Sequence, residues 1–264
     1  MTDSSLNGKI GIKPVILDGF SIFLKNPQIT ILIFVGMVLI YLFLLGAITL
    51  IIPPEKLVDM AGKEPEEFVE EIITLLSESI EKTLIAIFVF GTIAFVVTEF
   101  IAAGIISLAI DANSGKNTGL SSFIRYGYIY TPRMVMLEIL TSVALIAVIF
   151  PFTLLLYVTR SSAMELIQSI AIFVMSILLF PARFILIYED SGVFESLAEG
   201  IRFGFQNFLW TASILILSSI LIVPSLFFPP TVIIAVPVLI SLSTIWFSRF
   251  YFLVRSSSEH FLEN

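Results

Sequence analysis

Cysteine is absent from this chain of 264 residues, and histidine occurs once, as His260. Without cysteine there can be no disulfide, no thiol catalysis and no thiolate metal site. A single histidine excludes the paired histidines of a His-Glu-x-x-His zinc site. It also excludes a Ser-His nucleophile within the apolar segments, because His260 lies in the C-terminal tail. We therefore expect no catalytic residues, no metal site, no cofactor and no enzyme activity.

Charged residues are also scarce. They make up 13% of the chain, whereas 58% of the residues are hydrophobic and the mean hydropathy is +1.04. Soluble domains have about 25% charged and about 45–50% apolar residues. A water-soluble globule of this length cannot hide such an apolar surplus beneath a polar surface. The composition therefore predicts an integral membrane protein whose first partner is the lipid bilayer.

Continuous apolar segments predict how often the chain crosses the bilayer, since a helical span needs about 20 apolar residues. Six segments qualify: residues 28–52, 83–112, 134–158, 164–188, 209–228 and 231–254. A membrane barrel would instead show shorter segments of alternating polarity. The sequence thus predicts an all-α, multi-pass fold in which residues 1–264 form a single membrane domain. Pro229 and Pro230 separate the last two spans, which we expect to form a hairpin.

The distribution of lysine and arginine predicts the orientation, because cytoplasmic loops are enriched in both. With a cytoplasmic N-terminus, four of these residues lie on the outer side: Lys56, Lys63, Lys82 and Arg160. The other ten lie on the inner side: Lys9, Lys13, Lys25, Lys116, Arg125, Arg133, Arg183, Arg202, Arg249 and Arg255. We therefore expect a protein of the cell membrane with both termini in the cytoplasm. The segment Met1 to Pro14 is polar, so we expect no cleaved leader.

Short amphipathic segments precede spans one, three and five on the predicted inner side. They cover residues 14–25, 120–130 and 193–206, and their polar residues recur at helical spacing. We predict that each is an elbow helix, lying in the plane of the membrane.

The ends of these segments align with one another. They read SIFLKNP at 21–27, YGYIYTP at 126–132 and RFGFQNF at 202–208. Asn26, Thr131 and Asn207 thus occupy a helix-cap position, and Pro27 and Pro132 a first-turn position. This pattern predicts three tandem units, each an elbow helix followed by a membrane hairpin.

The predicted outer loop, residues 53–82, is strongly acidic. Nine of the 21 acidic residues lie between Glu55 and Glu81. Pro65 followed by Glu66 and Glu67 predicts a helix start, since acids are favoured near a helix N-terminus. We expect this helix to continue into the second span. The elbows and this loop are candidate surfaces for a protein partner, and no pattern indicates nucleic-acid binding.

Four charged residues lie within predicted spans: Glu99, Glu138, Arg183 and Arg249. A charge in the hydrocarbon costs about 2.5–3.5 kcal/mol on insertion scales, so these residues form a candidate polar site. Glu138, Arg183 and Arg249 lie roughly 8–9 Å from the cytoplasmic ends of their spans, and Glu99 roughly 18 Å.

Two interpretations of these charges are open. In the functional one, Glu138 pairs with Arg183 or Arg249 around an inward-facing cavity, and Glu99 is a proton- or ion-coupled carboxylate above it. In the structural one, the arginines extend to the inner head groups and Glu138 holds helices together.

Two smaller patterns of small and hydroxyl-bearing residues also occur within the predicted spans. Ala103 and Ser107, with Gly104 between them, form a small-residue face that indicates close helix packing. Span six carries a hydroxyl stripe that could line a path or bond back to its own helix carbonyls: Ser241, Thr244 and Ser248. We favour the bonds to the helix carbonyls.

The chain resembles a known family in its elbow-and-hairpin units and in the stretch RFILIYEDSGVFESLAEGIR, residues 183–202, which leads to Asn207. These features resemble the six-helix membrane domain found alone in archaea and bacteria, and elsewhere fused to glycerophosphodiester phosphodiesterases. That domain brings no catalytic residues, and the fused enzyme is a separate soluble barrel that this sequence lacks. The resemblance implies a membrane module without phosphodiesterase activity.

Two functions are compatible with these observations. The first is a membrane module that binds, scaffolds or regulates a partner through the elbows or the outer loop. The alternative is a small permease or export component that uses the four intramembrane charges.

Overall fold

The computed structural model describes residues 11–60, 62–78, 80–116, 118–226 and 229–262, and these are helical nearly throughout, with no strand among them. The helices are α1 (Ile12–Lys25), α2 (Pro27–Ile51), α3 (Pro54–Met60), α4 (Pro65–Glu78), α5 (Ile80–Asn113), α6 (Leu120–Thr159), α7 (Ser162–Leu179), α8 (Pro181–Tyr188), α9 (Val193–Gln206), α10 (Phe208–Leu226) and α11 (Pro229–Leu262). The predicted all-α fold class is confirmed.

Five helical segments of the described chain are long and apolar enough to cross a membrane: Pro27–Thr49, Ile80–Asn113, Leu120–Thr159, Ser162–Tyr188 and Ala235–Ser257. A sixth qualifies if α9 and the following Phe208–Ile220, which meet at an angle of 90°, count as one bent span. These helices are compatible with a multi-pass membrane protein. Pro229 and Pro230, which were predicted to separate the last two spans, are the first residues of α11, and residues 227–228 before them lie outside the described residues.

The second amphipathic segment differs from the expectation. Residues 120–130 and the predicted span 134–158 form one helix of 40 residues, α6, so Thr131 and Pro132 lie inside a helix and not at its start. The Thr131 hydroxyl donates a hydrogen bond of 2.5 Å to the carbonyl of Gly127. Pro132 has no N–H, so the carbonyl of Tyr128, four residues earlier, loses its helical donor, yet α6 continues through this point.

Pro181 divides the predicted span 164–188 into α7 and α8, with Phe180 between them. Proline has no N–H, so the carbonyl of Ile177, four residues earlier, loses its helical donor. That carbonyl lies 2.9 Å from the position that a Cβ atom on Gly204 of α9 would occupy. The break in this span is therefore a site of close backbone contact with α9.

The described chain forms two compact units, Met1–Phe34 with Phe100–Asn264, and Val35–Glu99. The first unit has an aromatic core in which Phe247, Phe250 and Tyr251 of α11 are at most 1% exposed. Phe247 contacts Phe184 of α8, with ring centroids 4.5 Å apart, and Tyr251 contacts Phe203 of α9 at 5.0 Å. This packing fixes α9 and α8, of which α8 carries Arg183 of the candidate site.

The second unit contains the acidic segment that is predicted to lie on the outer side. The predicted helix start at Pro65 is confirmed, whereas α3 was not predicted. Helix α4 ends at Glu78 and α5 begins at Ile80, so the predicted continuity depends on Ser79, which lies outside the described residues. Within this unit the ammonium group of Lys63 donates a hydrogen bond to Glu71, which raises the pKa of Lys63.

Candidate functional site

The first unit brings Glu138 of α6 and Arg183 of α8 together. The Arg183 guanidinium donates a hydrogen bond to Glu138 Oε2 and forms an ion pair with it. The Thr141 hydroxyl lies 3.2 Å from the same oxygen and 3.0 Å from the Glu138 carbonyl. The side chains of Arg183 and Glu138 are 33% and 24% exposed, so the pair is only partly covered by protein. Of the two partners considered for Glu138, the structure selects Arg183.

A cavity of about 260 Å³ lies beside this ion pair, between α6 and α7–α8. Its lining consists of Glu138, Thr141, Ser142, Leu145, Ser176, Leu179, Phe180 and Arg183. We call it the α6–α7 groove. It combines one carboxylate, one guanidinium and three hydroxyl groups with two leucines and a phenylalanine, so a bound molecule would need both polar and apolar parts.

Arg249 does not join this pair. Its guanidinium lies 3.4 Å from Asp18 Oδ2, and it also lies 5.9 Å from the ring centroid of Phe252. The ion pair links α11 to α1, and the side chain of Arg249 is only 20% exposed. Arg249 thus connects two helices at a place separate from the groove lining.

Glu99 is 3% exposed and belongs to the second unit, whereas the groove lies in the first. The role of Glu99 as a coupled carboxylate stays a prediction.

The loop between α8 and α9 forms a polar network that the sequence interpretation missed. Glu189 accepts hydrogen bonds from the hydroxyl of Tyr251 and the guanidinium of Arg255, both on α11. Asp190 accepts a hydrogen bond of 2.7 Å from Arg133 of α6. The sequence signal for this network was the pair Glu189 and Asp190 at the end of a predicted span. These acids lie on the same predicted side of the membrane as Arg133 and Arg255. This network ties two helices, α6 and α11, to one short loop.

The aligned residues Asn26, Thr131 and Asn207 make the same local bond. Each side chain donates to the carbonyl four residues earlier: Asn26 to Ile22 at 2.8 Å, Thr131 to Gly127 at 2.5 Å, and Asn207 to Phe203 at 3.1 Å. Asn26 and Asn207 therefore satisfy the end of the preceding helix, and neither caps the helix that follows. The alignment detected by sequence corresponds to a shared hydrogen bond.

Glycines on α9 allow close backbone approach, a second feature that the sequence interpretation missed. A Cβ atom on Gly200 would lie 2.6 Å from Ala182 Cβ and 2.7 Å from Ala182 Cα. Gly204, one turn later, makes a similar approach to Ile177 and Leu178. The Gly-xxx-Gly spacing of a packed helix pair was the signal that could have identified this face.

The small-residue face and the hydroxyl stripe of span six mainly have the packing and bonding that we favoured from the sequence. A Cβ atom on Gly104 would lie 2.5 Å from the Phe123 ring, which confirms close packing of the small-residue face. Ser241 and Thr244 donate to the carbonyls of Pro237 and Ile240 at 2.8 and 2.7 Å. Ser248 instead accepts a hydrogen bond of 3.2 Å from Asn113. The stripe therefore mainly satisfies its own helix.

Comparison with known proteins adds no assignment to this geometry. The sequence matches no protein-family model and no curated protein, and the fold matches no solved structure.

Proposed function

We propose that this chain is a multi-pass protein of the cell membrane that binds a protein partner through its outer acidic helix, α4. In this proposal the chain crosses the bilayer six times, both termini are cytoplasmic and the protein has no catalytic role. The resemblance to a six-helix membrane domain without catalytic residues fits the same proposal.

The surface of α4 carries the proposal. Val69 and Ile73, one turn apart, are 53% and 60% exposed, and the neighbouring Glu66 and Glu70 are exposed too. Exposed apolar side chains bordered by charge are typical of interaction surfaces. The acids favour a protein partner that presents an apolar strip bordered by lysine or arginine. A second copy of this chain is disfavoured, because its own acids would face these.

The intramembrane charges support a binding module over a permease. Glu138 is paired with Arg183, and Arg249 is paired with Asp18 on another helix. Each pair joins two helices, a role that the structural interpretation gave to Glu138, whereas the pairing of Glu138 with Arg183 beside a cavity belongs to the functional interpretation. A permease built on all four charges needs them to line one chamber, and the α6–α7 groove is lined by Glu138 and Arg183.

The groove nevertheless favours the alternative function more than any other feature does. It places a partly exposed ion pair among hydroxyl groups, as a polar substrate would require. If the protein is a permease, replacing Glu138 by Gln should abolish substrate flux in reconstituted vesicles, and unchanged flux would exclude the role.

The three amphipathic segments, which are α1, the first turns of α6, and α9, also have a proposed place, at the inner surface of the bilayer. Their exposed apolar faces are Leu17, Phe20 and Leu24 on α1; Leu120, Ile124 and Tyr128 on α6; and Phe194, Ile201 and Phe205 on α9. The opposite faces carry the buried glycines Gly19, Gly127 and Gly200. A helix that packs one face on protein and presents an apolar face outward suits the interfacial region of a membrane.

The proposed orientation can be tested by cysteine labelling, because the natural chain has no cysteine. Single substitutions Lys63→Cys and Ser162→Cys place thiols on the proposed outer side, and Lys116→Cys places one on the inner side. In intact cells an impermeant maleimide is expected to label positions 63 and 162, but position 116 only after permeabilisation. The unmodified protein is the blank. Labelling of position 116 in intact cells, with 63 protected, would reverse the orientation.

The partner surface can be tested by photocrosslinking in membranes of the source organism. A benzophenone amino acid at Ile73 is expected to form one defined adduct. The same group at Val58, an apolar residue of α3 that is 74% exposed, serves as the matched control and should form none.

The proposed attraction between the acids of α4 and a basic partner gives a second test of the Ile73 adduct. The Ile73 adduct should be lost in the double variant Glu66→Lys/Glu70→Lys and should weaken as salt rises, because salt screens exposed charges. An adduct with the mass of two copies of this chain, or one insensitive to both changes, would contradict the proposal.

A further inference from the structure

The α6–α7 groove has the chemistry of a head-group site. Its charged members are opposite in sign and paired, so the groove carries no net charge. A neutral site of this kind does not select for a simple anion or a simple cation. It is complementary to a group that contains one of each.

The two charges differ in what they can bind. A guanidinium presents several N–H donors in a planar fork that matches the oxygens of a phosphate. Within the described chain, the contacts of the Glu138 carboxylate all use Oε2, so Oε1 is available to accept from an ammonium group. The hydroxyls of Ser142 and Ser176 on facing helices can also bond to the same ligand.

The surroundings point to a lipid as the source of that ligand. Ile139 and Ile146 each follow a lining residue in sequence and are 46% and 63% exposed, as expected for side chains that meet acyl chains. Leu145 and Leu179 add apolar surface within the groove itself. The cavity of about 260 Å³ is small, since sites that enclose a drug-sized ligand have about 300–1,000 Å³. A head group can therefore enter while its chains stay outside.

We propose that the α6–α7 groove binds the head group of a membrane phospholipid that carries a primary ammonium and a phosphate. Arg183 binds the phosphate, and Glu138 and Ser142 accept N–H groups of the ammonium. A choline head group has no N–H to donate, so the site discriminates against it. The inference needs the membrane location proposed above but is independent of the partner at α4.

Native mass spectrometry can test this site on the full chain. The protein is reconstituted with equal amounts of phosphatidylethanolamine and phosphatidylcholine, re-extracted in mild detergent, and its retained lipids are measured. The wild type is expected to retain about tenfold more phosphatidylethanolamine, the effect of a charge-assisted hydrogen bond. Equal retention of the two lipids would overturn the proposal.

Two variants and a matched control locate the site. Glu138→Gln removes the carboxylate charge, and Ser142→Phe fills the groove. Each change should bring the ratio of retained phosphatidylethanolamine to phosphatidylcholine close to one. Ser169→Phe makes the same replacement at an exposed position of α7 outside the lining and should keep the wild-type ratio. A ratio that stays high in both groove variants, or falls equally in the control, would place lipid selection elsewhere.

Free phosphoethanolamine distinguishes the source of the ligand. At millimolar concentration it should compete with the lipid if the head group provides the recognition. If it binds while the lipids show no preference, the groove is a solute site and the lipid source is wrong. The Ile73 adduct measured on Ser142→Phe should be unchanged, which separates failure here from failure of the partner proposal.

Discussion

Replacing Gly200 by alanine is expected to destabilise the protein by about 1–3 kcal/mol, the usual cost of overpacking. The added methyl group would lie 2.6 Å from Ala182 Cβ and 2.8 Å from its backbone nitrogen. Backbone atoms cannot rotate away, so α9 must separate from α8, and the aromatic contacts of Phe203 would loosen with it. The measurement is unfolding in mixed micelles of increasing SDS fraction, followed by circular dichroism.

Gly91 provides the matched control for this change. It also lies inside a long helix, α5, but a Cβ atom there would meet nothing within 4 Å. Alanine has a higher helix propensity than glycine by about 0.8–1.0 kcal/mol, so Gly91→Ala is expected to leave stability unchanged or raise it. If the Gly200 and Gly91 variants unfold at the same SDS fraction, the close approach of α9 to α8 is wrong.

Replacing Glu138 by alanine is expected to cost about 2–3 kcal/mol. The change removes the carboxylate from the Arg183 guanidinium, and breaking a fully buried pair costs about 3–5 kcal/mol. The partial exposure of both side chains lowers the expected value, since a guanidinium can be solvated through the groove. The same SDS titration measures the loss.

The double variant Glu138→Leu/Arg183→Met separates structure from function. Replacing both members of an ion pair by apolar groups is often nearly neutral, so this variant should be more stable than Glu138→Ala. Lys63→Ala, which removes an exposed ion pair with Glu71, is the control and should have little effect. A double variant less stable than the single one would show that the groove needs its charges for folding.

Composition and periodicity were sufficient for the fold class and for several helix ends. The apolar surplus forces long helices, and Pro27 and Pro65 begin helices because a first-turn proline loses no hydrogen bond. Pro132 has the same local sequence context yet lies inside α6. Whether a helix starts at such a proline or passes through it depends on how the surrounding helices pack, which local sequence does not specify.

The candidate site could be predicted only in part. Depth along a helix follows from residue spacing, which is why Glu138, Arg183 and Arg249 were placed at one level. The rotation of each helix and the identity of its neighbour do not follow from spacing. These decide that Arg183 meets Glu138 while Arg249 meets Asp18.

The packing role of the glycines on α9 could not be predicted from one helix alone. Gly200 and Gly204 are visible in the sequence, but their significance depends on the break at Pro181, which exposes the Ile177 carbonyl to them. A local motif on one helix and a local break in another combine only in the packed structure.

The length of α6 has a consequence for the membrane itself. Its 40 residues extend about 60 Å, roughly twice the thickness of the hydrocarbon layer. A helix of that length, if perpendicular to the membrane, is too long for the hydrocarbon layer. Either the helix tilts or bends, or several of its turns extend beyond the acyl chains. If α6 crosses a bilayer as proposed, the thickness of that bilayer sets how many of its turns reach water.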